Sequence, residues 1–263
     1  MGSNSLEEII NKKKEILNLL KNKFKIEDLN YKIKKYKKYF DFKEKINSNL
    51  SEGKFSLIAE IKKASPSAGV IIEDYNPVTI AEIYEKNKAT CLSVLTEEDF
   101  FSGSLDHISK IKEKVNLPIL CKDFFIDKFQ IPLAKSYGAD AILLIVAALT
   151  QNQLEELYNT ALEYKMSIII EVHTVEEANR IANFKNAIIG INNRNLKTLK
   201  TDLNNTFEIY KTLNNFDGIL VSESGIKNKD DVLKISNQTN IKTFLIGESL
   251  LKNLDSNSIF SIL

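Results

Sequence analysis

From residue 55 onward, short runs of apolar, often β-branched residues alternate with longer segments whose apolar residues recur at helical spacing. The apolar runs predict eight strands, over residues 56–62, 91–96, 118–124, 141–146, 167–172, 187–193, 218–225 and 243–248. The segments between them are long enough for crossover helices, for example 151–164, 175–184 and 229–236. Strands that are apolar on both faces and alternate with helices are typical of a parallel sheet covered by helices.

Eight such units in about 210 residues predict the α/β class and, within it, a (β/α)8 TIM barrel, a fold of ~250 residues. A doubly wound sheet is the competing arrangement, but it normally carries a glycine-rich turn after its first strand. Here the first strand is followed by Lys63-Ala64-Ser65-Pro66. We therefore predict a barrel over residues 51–263.

Residues 1–50 differ from the rest of the chain in charge, with thirteen lysines against seven acidic residues. The apolar residues that recur there every three to four positions are Ile9, Ile10, Ile16, Leu17, Leu20 and Phe24. This spacing predicts an amphipathic helix over about 5–22, and a second helix is expected within 27–47. We interpret 1–50 as a helical extension packed on the barrel, with its lysines in solvent. The alternative is a basic arm that binds nucleic acid or an acidic membrane surface.

Composition narrows the function classes. Hydrophobic residues make up 43% of the chain and the net charge is +1, which excludes a disordered polyelectrolyte and disfavours a nucleic-acid binder. Cys91 and Cys121 lie in apolar stretches, which favours a reducing compartment. The longest apolar run, 141–149, is far short of the ~20 residues of a membrane span, and lysines at 12–14 interrupt the first hydrophobic cluster, so no signal segment is expected. We expect a cytoplasmic monomer or weak homodimer with no nucleic-acid or membrane partner.

Polar residues cluster at the carboxyl ends of the predicted strands. They are Glu60 and Lys62, Lys122 and Asp123, Glu171, Asn192 to Arg194, Ser222 to Gly225, and Gly247 and Glu248. Each one alone is compatible with a charge solvated at a strand end. In a barrel these ends meet at one mouth, where the active sites of this fold lie, so together they predict one site.

Glycines at the last two strand ends predict a phosphate site. Ser224 and Gly225 end one strand, and Gly247 and Glu248 end the other, at the corner where such barrels bind phosphate. Glycine lets backbone N–H groups approach an anion closely, and a following helix N-terminus adds favourable potential. We therefore expect a small phosphorylated substrate.

Lys62 and Lys122 place two ammonium groups in the same mouth. Their repulsion is expected to lower the pKa of at least one lysine, which suits it to act as an acid near neutrality. Glu60 offsets part of the repulsion, and Glu171 on the opposite wall is the natural proton acceptor. Neither histidine has a metal-binding partner at helical or loop spacing, and neither cysteine has a visible histidine partner. No metal site and no thiol nucleophile are therefore expected.

Seven stretches of the chain form an ordered series with polar residues at fixed offsets. They are 57–67 (LIAEIKKASPS), 121–124 (CKDF), 139–146 (ADAILLIV), 171–173 (EVH), 190–196 (GINNRNL), 222–226 (SESGI) and 245–250 (LIGESL). The series resembles the indole-3-glycerol phosphate synthase family of tryptophan biosynthesis. The resemblance covers nearly the whole chain, including a leading helical segment over 5–45.

The resemblance implies a carboxy-lyase that closes the ring of 1-(2-carboxyphenylamino)-1-deoxyribulose 5-phosphate, releasing carbon dioxide and water to give indole-3-glycerol phosphate. It implies no metal and no organic cofactor. Lys122 would be the general acid that protonates the substrate carbonyl oxygen as an aromatic ring carbon attacks. Glu171 would be the general base that removes the ring proton or assists the later dehydration. Lys62, held by Glu60, would lie beside the anionic groups of the substrate.

The resemblance also implies the substrate contacts. Asn192 would orient the substrate hydroxyls and Ser224 would line the same pocket. The groups holding the phosphate would be backbone N–H groups at Gly225, Gly247 and Glu248, helped by Lys62. The remaining polar contacts would come from Ser65, Glu223 and Arg194, the last being one of only two arginines among 36 basic residues and suited to a bidentate role. The apolar wall for the anthranilate ring is offered by Leu95, Phe101, Phe124, Leu144 and Leu196, although Leu95 and Leu144 are equally compatible with barrel core.

Three positions depart from the commonest family pattern. Cys121 stands where arginine is usual, Ala68 where lysine is frequent, and Asn195 where aspartate is frequent. These changes affect loop stability and substrate affinity rather than the class of reaction.

Two other functions are considered. A phosphoribosylanthranilate isomerase, another small phosphate-binding barrel, would need a cysteine at the end of the first strand, where this chain has Glu60-Ile61-Lys62. A non-catalytic barrel scaffold would use the basic arm to bind nucleic acid, with steep loss of binding in salt.

Overall fold

Eight parallel strands close into a barrel within residues 6–254 and 256–263, the part of the chain that the computed structural model describes. Including two short strands outside the barrel, β2 and β3, the strands of the described residues are β1 (Ser56–Ile61), β2 (Ala64–Ser65), β3 (Gly69–Val70), β4 (Cys91–Leu95), β5 (Ile119–Lys122), β6 (Ala141–Ile145), β7 (Ser167–Val172), β8 (Ile188–Asn192), β9 (Leu220–Glu223) and β10 (Thr243–Ile246). The order around the barrel is β1, β10, β9, β8, β7, β6, β5, β4, with β4 paired to β1. The predicted (β/α)8 fold is confirmed. The short antiparallel hairpin of β2 and β3 was not expected from the sequence.

Both faces of the barrel strands are buried, which explains why the strands are continuous apolar runs. Along β6, Leu143 and Ile145 belong to the cluster inside the barrel, whereas Ile142 and Leu144 belong to the layer between strands and helices. Successive side chains of a strand point to opposite faces. A parallel barrel therefore buries every position of its strands, and only their ends are left for polar chemistry.

Three helices precede the barrel strands, and the other helices follow strands on the outside of the barrel. They are α1 (Leu6–Lys23), α2 (Ile26–Lys35), α3 (Phe42–Ser51), α4 (Pro77–Lys86), α5 (Leu105–Lys114), α6 (Gln130–Ser136), α7 (Gln151–Glu163), α8 (Val175–Asn179), α9 (Asn204–Leu213), α10 (Lys229–Gln238) and α11 (Glu248–Lys252). Several begin at a side-chain cap, for example α7, where Thr150 and Gln153 form a capping box. The helix predicted over 175–184 is shorter than expected, because α8 ends at Asn179 and turns follow.

The segment before the barrel forms three helices, and the helix predicted over about 5–22 begins outside the described residues. The further helix expected within 27–47 is present as α2, and a third helix, which the sequence did not predict, begins at Phe42. The chain leaves α2 at Tyr36 and enters α3 at Asp41, and in between the backbone N–H of Phe40 donates to Asp140 Oδ1 at 2.7 Å. This contact ties the segment between the two helices to the loop before β6.

The third helix closes the amino end of the barrel. Phe42 and Ile46 are fully buried against interior residues such as Ile58 and Cys91. The carboxyl ends of the strands are thereby left as the open mouth. None of the described helices is long and apolar enough to cross a membrane.

Candidate active site

Two adjoining cavities lie at the carboxyl ends of the barrel strands. The predicted residues lining the first are Glu60, Lys62, Ser65, Leu95, Phe101, Lys122, Phe124, Glu171, Asn192, Arg194, Leu196 and Ser224. Those lining the second are Glu60, Lys62, Lys122, Arg194, Ser224, Gly225, Gly247 and Glu248. Glu223 lines neither cavity; it is fully buried and meets the site through Lys122. The fold thus assembles in one place residues that are spread over 189 positions of the chain, from Glu60 to Glu248.

Lys122, at the end of β5, lies among three carboxylates. Its Nζ is 3.3 Å from Glu223 Oε2, 3.5 Å from Glu60 Oε2 and 3.6 Å from Glu171 Oε2. Burial disfavours the ammonium, but the negative charge around it prevails and raises the pKa of Lys122 well above its ordinary value. The expectation that crowding lowers the pKa of a lysine here is therefore wrong for Lys122. The sequence showed the two cations but not the number of carboxylates facing one of them.

Glu60 bridges the two lysines. Its Oε1 is 2.6 Å from Lys62 Nζ, and its Oε2 faces Lys122. Burial opposes the charge of this carboxylate, yet the two ammonium groups hold the pKa of Glu60 below its usual range. The predicted offset of lysine repulsion by Glu60 is present in the geometry.

Glu171 and Glu223 face the same lysine but titrate in opposite directions. Burial raises the pKa of both, and Lys122 opposes that effect. For Glu171 the lysine and His173 prevail, so its pKa is lowered well below the ordinary value. For Glu223, burial and the charge of Glu171 prevail and raise the pKa to about 8. Two neighbouring carboxyl groups with separated pKa values are typical of acid–base sites.

A histidine and a further glutamate extend this cluster, and the sequence analysis missed both roles. His173 Nε2 lies 3.2 Å from Glu171 Oε1, and His173 Nδ1 lies 3.4 Å from Glu177 Oε2. Burial lowers the histidine pKa, but the two carboxylates raise it to about 9. The sequence signal is the spacing of residues 171, 173 and 177 across the strand end and the first turn of α8, with an acidic residue on each side of the histidine.

The second cavity has the features of an anion site. Ser224 and Gly225 both adopt left-handed backbone conformations, with φ of +65° and +78°. At Gly247, a Cβ would lie 2.5 Å from Glu60 Oε1, so only glycine lets the backbone approach there. The cavity is also lined by Lys227 and Lys252, which were not predicted. Glu248 Oε1 lies 2.6 Å from Lys252 Nζ, so its own charge is partly balanced.

The first cavity has an apolar wall. Phe101 and Phe124 pack with ring centroids 6.3 Å apart, and Leu95 and Leu196 also line the cavity. Leu144 does not, because it points to the helices while its neighbours Leu143 and Ile145 face the cavity. Of the two interpretations left open for Leu144, the one as barrel core is therefore confirmed.

The helix α1 completes that wall, a contribution that sequence reasoning missed. Leu6 and Ile9 line the first cavity. Lys13, one turn after Ile9, is buried, and its Nζ lies 2.7 Å from Asp123 Oδ1 and 4.0 Å from Glu97 Oε1. The signal was a lysine on the same helical stripe as the apolar residues at 9 and 17. These contacts bring α1 to the mouth of the barrel.

The loop after β8 is held by Arg194. Its Nη1 donates to the carbonyl oxygen of Leu199 at 2.7 Å, and its backbone N–H donates to Asn192 Oδ1 at 2.9 Å. Ser65 lies on the β2–β3 hairpin, where its Oγ accepts from the N–H of Ala68 at 3.2 Å. Within residues 6–254 and 256–263, no cluster of three or more His, Cys, Asp or Glu has the geometry to hold a metal ion.

Fold and site together define a (β/α)8-barrel with an acid–base cluster beside an anion pocket. The sequence model of the family described as indole-3-glycerol phosphate synthase matches residues 6–262. The chain belongs to the indole-3-glycerol phosphate synthase family.

Curated relatives with that name agree. The protein of Zymomonas mobilis subsp. pomaceae is 45% identical over 81% of this chain and 80% of its own length. The protein of Trichodesmium erythraeum is 42% identical over 95% of this chain and 84% of its own length. The protein of Prochlorococcus marinus subsp. pastoris is 45% identical over 98% of this chain and 88% of its own length. The family match disfavours the isomerase alternative.

Solved structures with little sequence identity share the fold alone. The tryptophan synthase alpha chain of Legionella pneumophila has a TM-score of 0.60 at 10% identity, covering 84% of this chain and 94% of that one. A chain from Aquifex aeolicus VF5 has a TM-score of 0.59 at 14% identity over the same shares.

Proposed function

We propose that this protein is an indole-3-glycerol phosphate synthase that converts 1-(2-carboxyphenylamino)-1-deoxyribulose 5-phosphate to indole-3-glycerol phosphate, carbon dioxide and water. Family membership supports the reaction. The observation that carries the assignment of roles is the contact of the Lys122 ammonium with three buried carboxylates at the barrel mouth.

The atom balance of the reaction assigns the groups that must move. The ring carbon that bears the carboxylate forms a bond to the ketone carbon, and the ketone oxygen gains a proton. Carbon dioxide then leaves that ring carbon and restores aromaticity, so no ring proton is removed. Loss of the new hydroxyl as water needs a proton on that oxygen and a base for the proton on the neighbouring carbon attached to nitrogen.

Lys122 is the acid in this proposal, and Glu171 is the base. The carboxylates around Lys122 keep it charged at neutral pH, and an ammonium beside the ketone stabilises the developing alkoxide and then protonates it. The lowered pKa of Glu171 keeps it ionised, so it is available for the proton lost in dehydration. Removal of a ring proton by Glu171, the other role considered, is excluded by the atom balance.

Substrate contacts follow from the two cavities. The phosphate would bind at Gly225, Gly247 and Glu248 through backbone N–H groups, with Lys62 at the boundary between the cavities. The anthranilate ring would pack on Phe101, Phe124 and Leu196. Ser65, Asn192, Arg194 and Ser224, which line the first cavity, would supply the remaining polar contacts. Glu223, expected from the resemblance to contact substrate, would act only through Lys122 because it is fully buried.

The finer statements on partners and location belong to the same proposal. The protein would act on a small phosphorylated substrate in the cytoplasm, without nucleic acid or membrane. The packing of the apolar stripe of α1 on the barrel and two free, buried cysteines support this. A monomer or weak homodimer stays a prediction.

The experiment adds the substrate to purified protein in chelator and follows indole fluorescence, with low background because the chain has no tryptophan. Lys122→Met is expected to lower turnover at least ~100-fold, since it removes the general acid. Lys110→Met is the control, because Lys110 is an exposed lysine on α5. Absence of product with folded wild-type protein contradicts the synthase assignment, and near-native turnover of Lys122→Met contradicts the assignment of the acid.

A further inference from the structure

His173 lies outside both cavities, yet it contacts Glu171, the group assigned above as the base. Its ring stands between two carboxylates, with Nε2 at 3.2 Å from Glu171 Oε1 and Nδ1 at 3.4 Å from Glu177 Oε2. A neutral imidazole has one acceptor nitrogen, which would face one of these anions unfavourably. The geometry therefore favours the imidazolium, with a hydrogen bond from Nδ1 to Glu177 and an electrostatic contact between Nε2 and Glu171.

The position of Glu177 is fixed by the start of α8. Its carboxylate accepts the backbone N–H of His173 at 2.7 Å, and its own N–H donates to Thr174 Oγ1 at 3.2 Å. These contacts hold the glutamate side chain against the strand end that carries His173. The carboxylate that contacts the histidine ring therefore belongs to a fixed side chain in the first turn of α8.

The two carboxylate oxygens of Glu171 face different partners. Oε1 faces His173, while Oε2 is buried and lies 3.6 Å from Lys122 Nζ. Glu171 also shares a side-chain hydrogen bond with Glu223, so Oε2 is the oxygen on the side of the proposed acid. Rotation of the carboxylate would lose the contact with His173.

We propose that His173 is a positioning residue of this synthase: its imidazolium, clamped by Glu177, orients Glu171 and keeps it ionised as the base. This inference rests on the proposed function. The charged groups facing the pair are Glu171 from β7, Glu177 from α8, and, on the far side of Glu171, Lys122 from β5 and Glu223 from β9. Asn205 from α9 contacts the backbone carbonyl of His173 at 3.1 Å.

Loss of the imidazolium removes a positive partner of Glu171, so this carboxyl group should bind its proton more tightly. The acidic limb of the kcat/KM profile against pH should then move to higher pH by about one unit in His173→Asn. Above the shifted limb, turnover should recover to within a few-fold of the wild type. A merely structural role would lower activity at every pH without moving the limb.

Glu177→Gln tests the same series of ion pairs, from Glu177 through His173 to Glu171, at a residue that lines neither cavity. It is expected to move the limb in the same direction by a smaller amount. The matched control is Glu176→Gln, which changes the neighbouring, exposed glutamate of α8 and should leave the profile in place.

A readout without substrate separates this inference from the function. The chain has only two histidines, so proton NMR of wild type and His107→Asn assigns the His173 ring signals. His173 should titrate with a pKa of about 9, lowered by about one unit in Glu177→Gln. A value near 6.5 in the wild type, or a profile and titration unmoved by Glu177→Gln, overturns the proposal even in an active enzyme. If the wild type is inactive but His173 titrates as expected, the proposed synthase function is refuted, whereas the ion pairs of His173 with Glu171 and Glu177 are supported.

Discussion

Gly190 leaves the space that the buried carboxylate of Glu223 occupies. An alanine Cβ there would lie 2.0 Å from Glu223 Oε1 and 3.1 Å from Cδ, where ordinary contacts begin near 3.4 Å. The carboxylate oxygen would therefore have to move by about 1.4 Å, and misplacement by ~1 Å near a catalytic group lowers rates about 100-fold. Because Glu223 Oε2 lies 3.3 Å from Lys122 Nζ, the displacement reaches the proposed acid. We expect Gly190→Ala to lower kcat/KM about 100-fold, or by ~3 kcal/mol in activation free energy.

The indole fluorescence assay measures this effect, and a double-mutant cycle assigns its cause. Glu223→Ala removes the two closest atoms that the new methyl group would meet and leaves Ile169 Cγ2 at 3.2 Å, so adding Gly190→Ala to that variant should change kcat/KM by less than about twofold. Thermal unfolding accompanies the assay, since overpacking a strand costs about 1–3 kcal/mol. A near-native kcat/KM for Gly190→Ala, or an equal loss in the Glu223→Ala background, would refute the reasoning.

Two buried lysines of the chain provide the remaining predictions. Lys13→Met should raise KM about tenfold with a smaller change in kcat, because an unpaired Asp123 would disturb the wall formed with Phe124. Lys14→Met, at an exposed neighbour, is its control, and an unchanged KM contradicts the prediction. Lys112→Met should lower the free energy of unfolding in urea by about 3–5 kcal/mol, because it leaves Asp140 buried without its cation at 2.5 Å. A loss no greater than that of the exposed Lys114→Met would speak against it.

Most of the barrel was predictable because its strands are apolar on both faces. The strand predicted over 167–172 coincides with β7 (Ser167–Val172), and the polar residue Glu171 marks the end that reaches the mouth. The face of the sheet to which each side chain points cannot be predicted in the same way. The sequence left Leu144 open between the cavity wall and the barrel core, and its parity along β6 turns it to the helices. A shift of one position reverses every side chain.

The pKa of Lys122 shows a second limit of sequence reasoning. Its direction depends on how many carboxylates point at one ammonium, and those carboxylates come from β1, β7 and β9, which are far apart in the chain. Residue types at strand ends indicate that such groups share a mouth but not their distances. Arg180 is a second example of a role that depends on distances. It donates to the carbonyl oxygens of Val146 and Leu149, and so holds the loop after β6 in place.

The charges around the mouth explain why one carboxylate holds a proton. The ionisable side chains in this cluster are Lys62, Lys122, His173, Glu60, Glu171, Glu177 and Glu223. With the histidine charged, three cations face four carboxyl groups, so full ionisation would leave one uncompensated negative charge in a buried site. Glu223 is fully buried and has no second cation, so it is the group that keeps its proton, in accord with its pKa of about 8. As a neutral acid it can donate a hydrogen bond to Glu171 rather than repel it, which keeps Glu171 ionised as the proposed base.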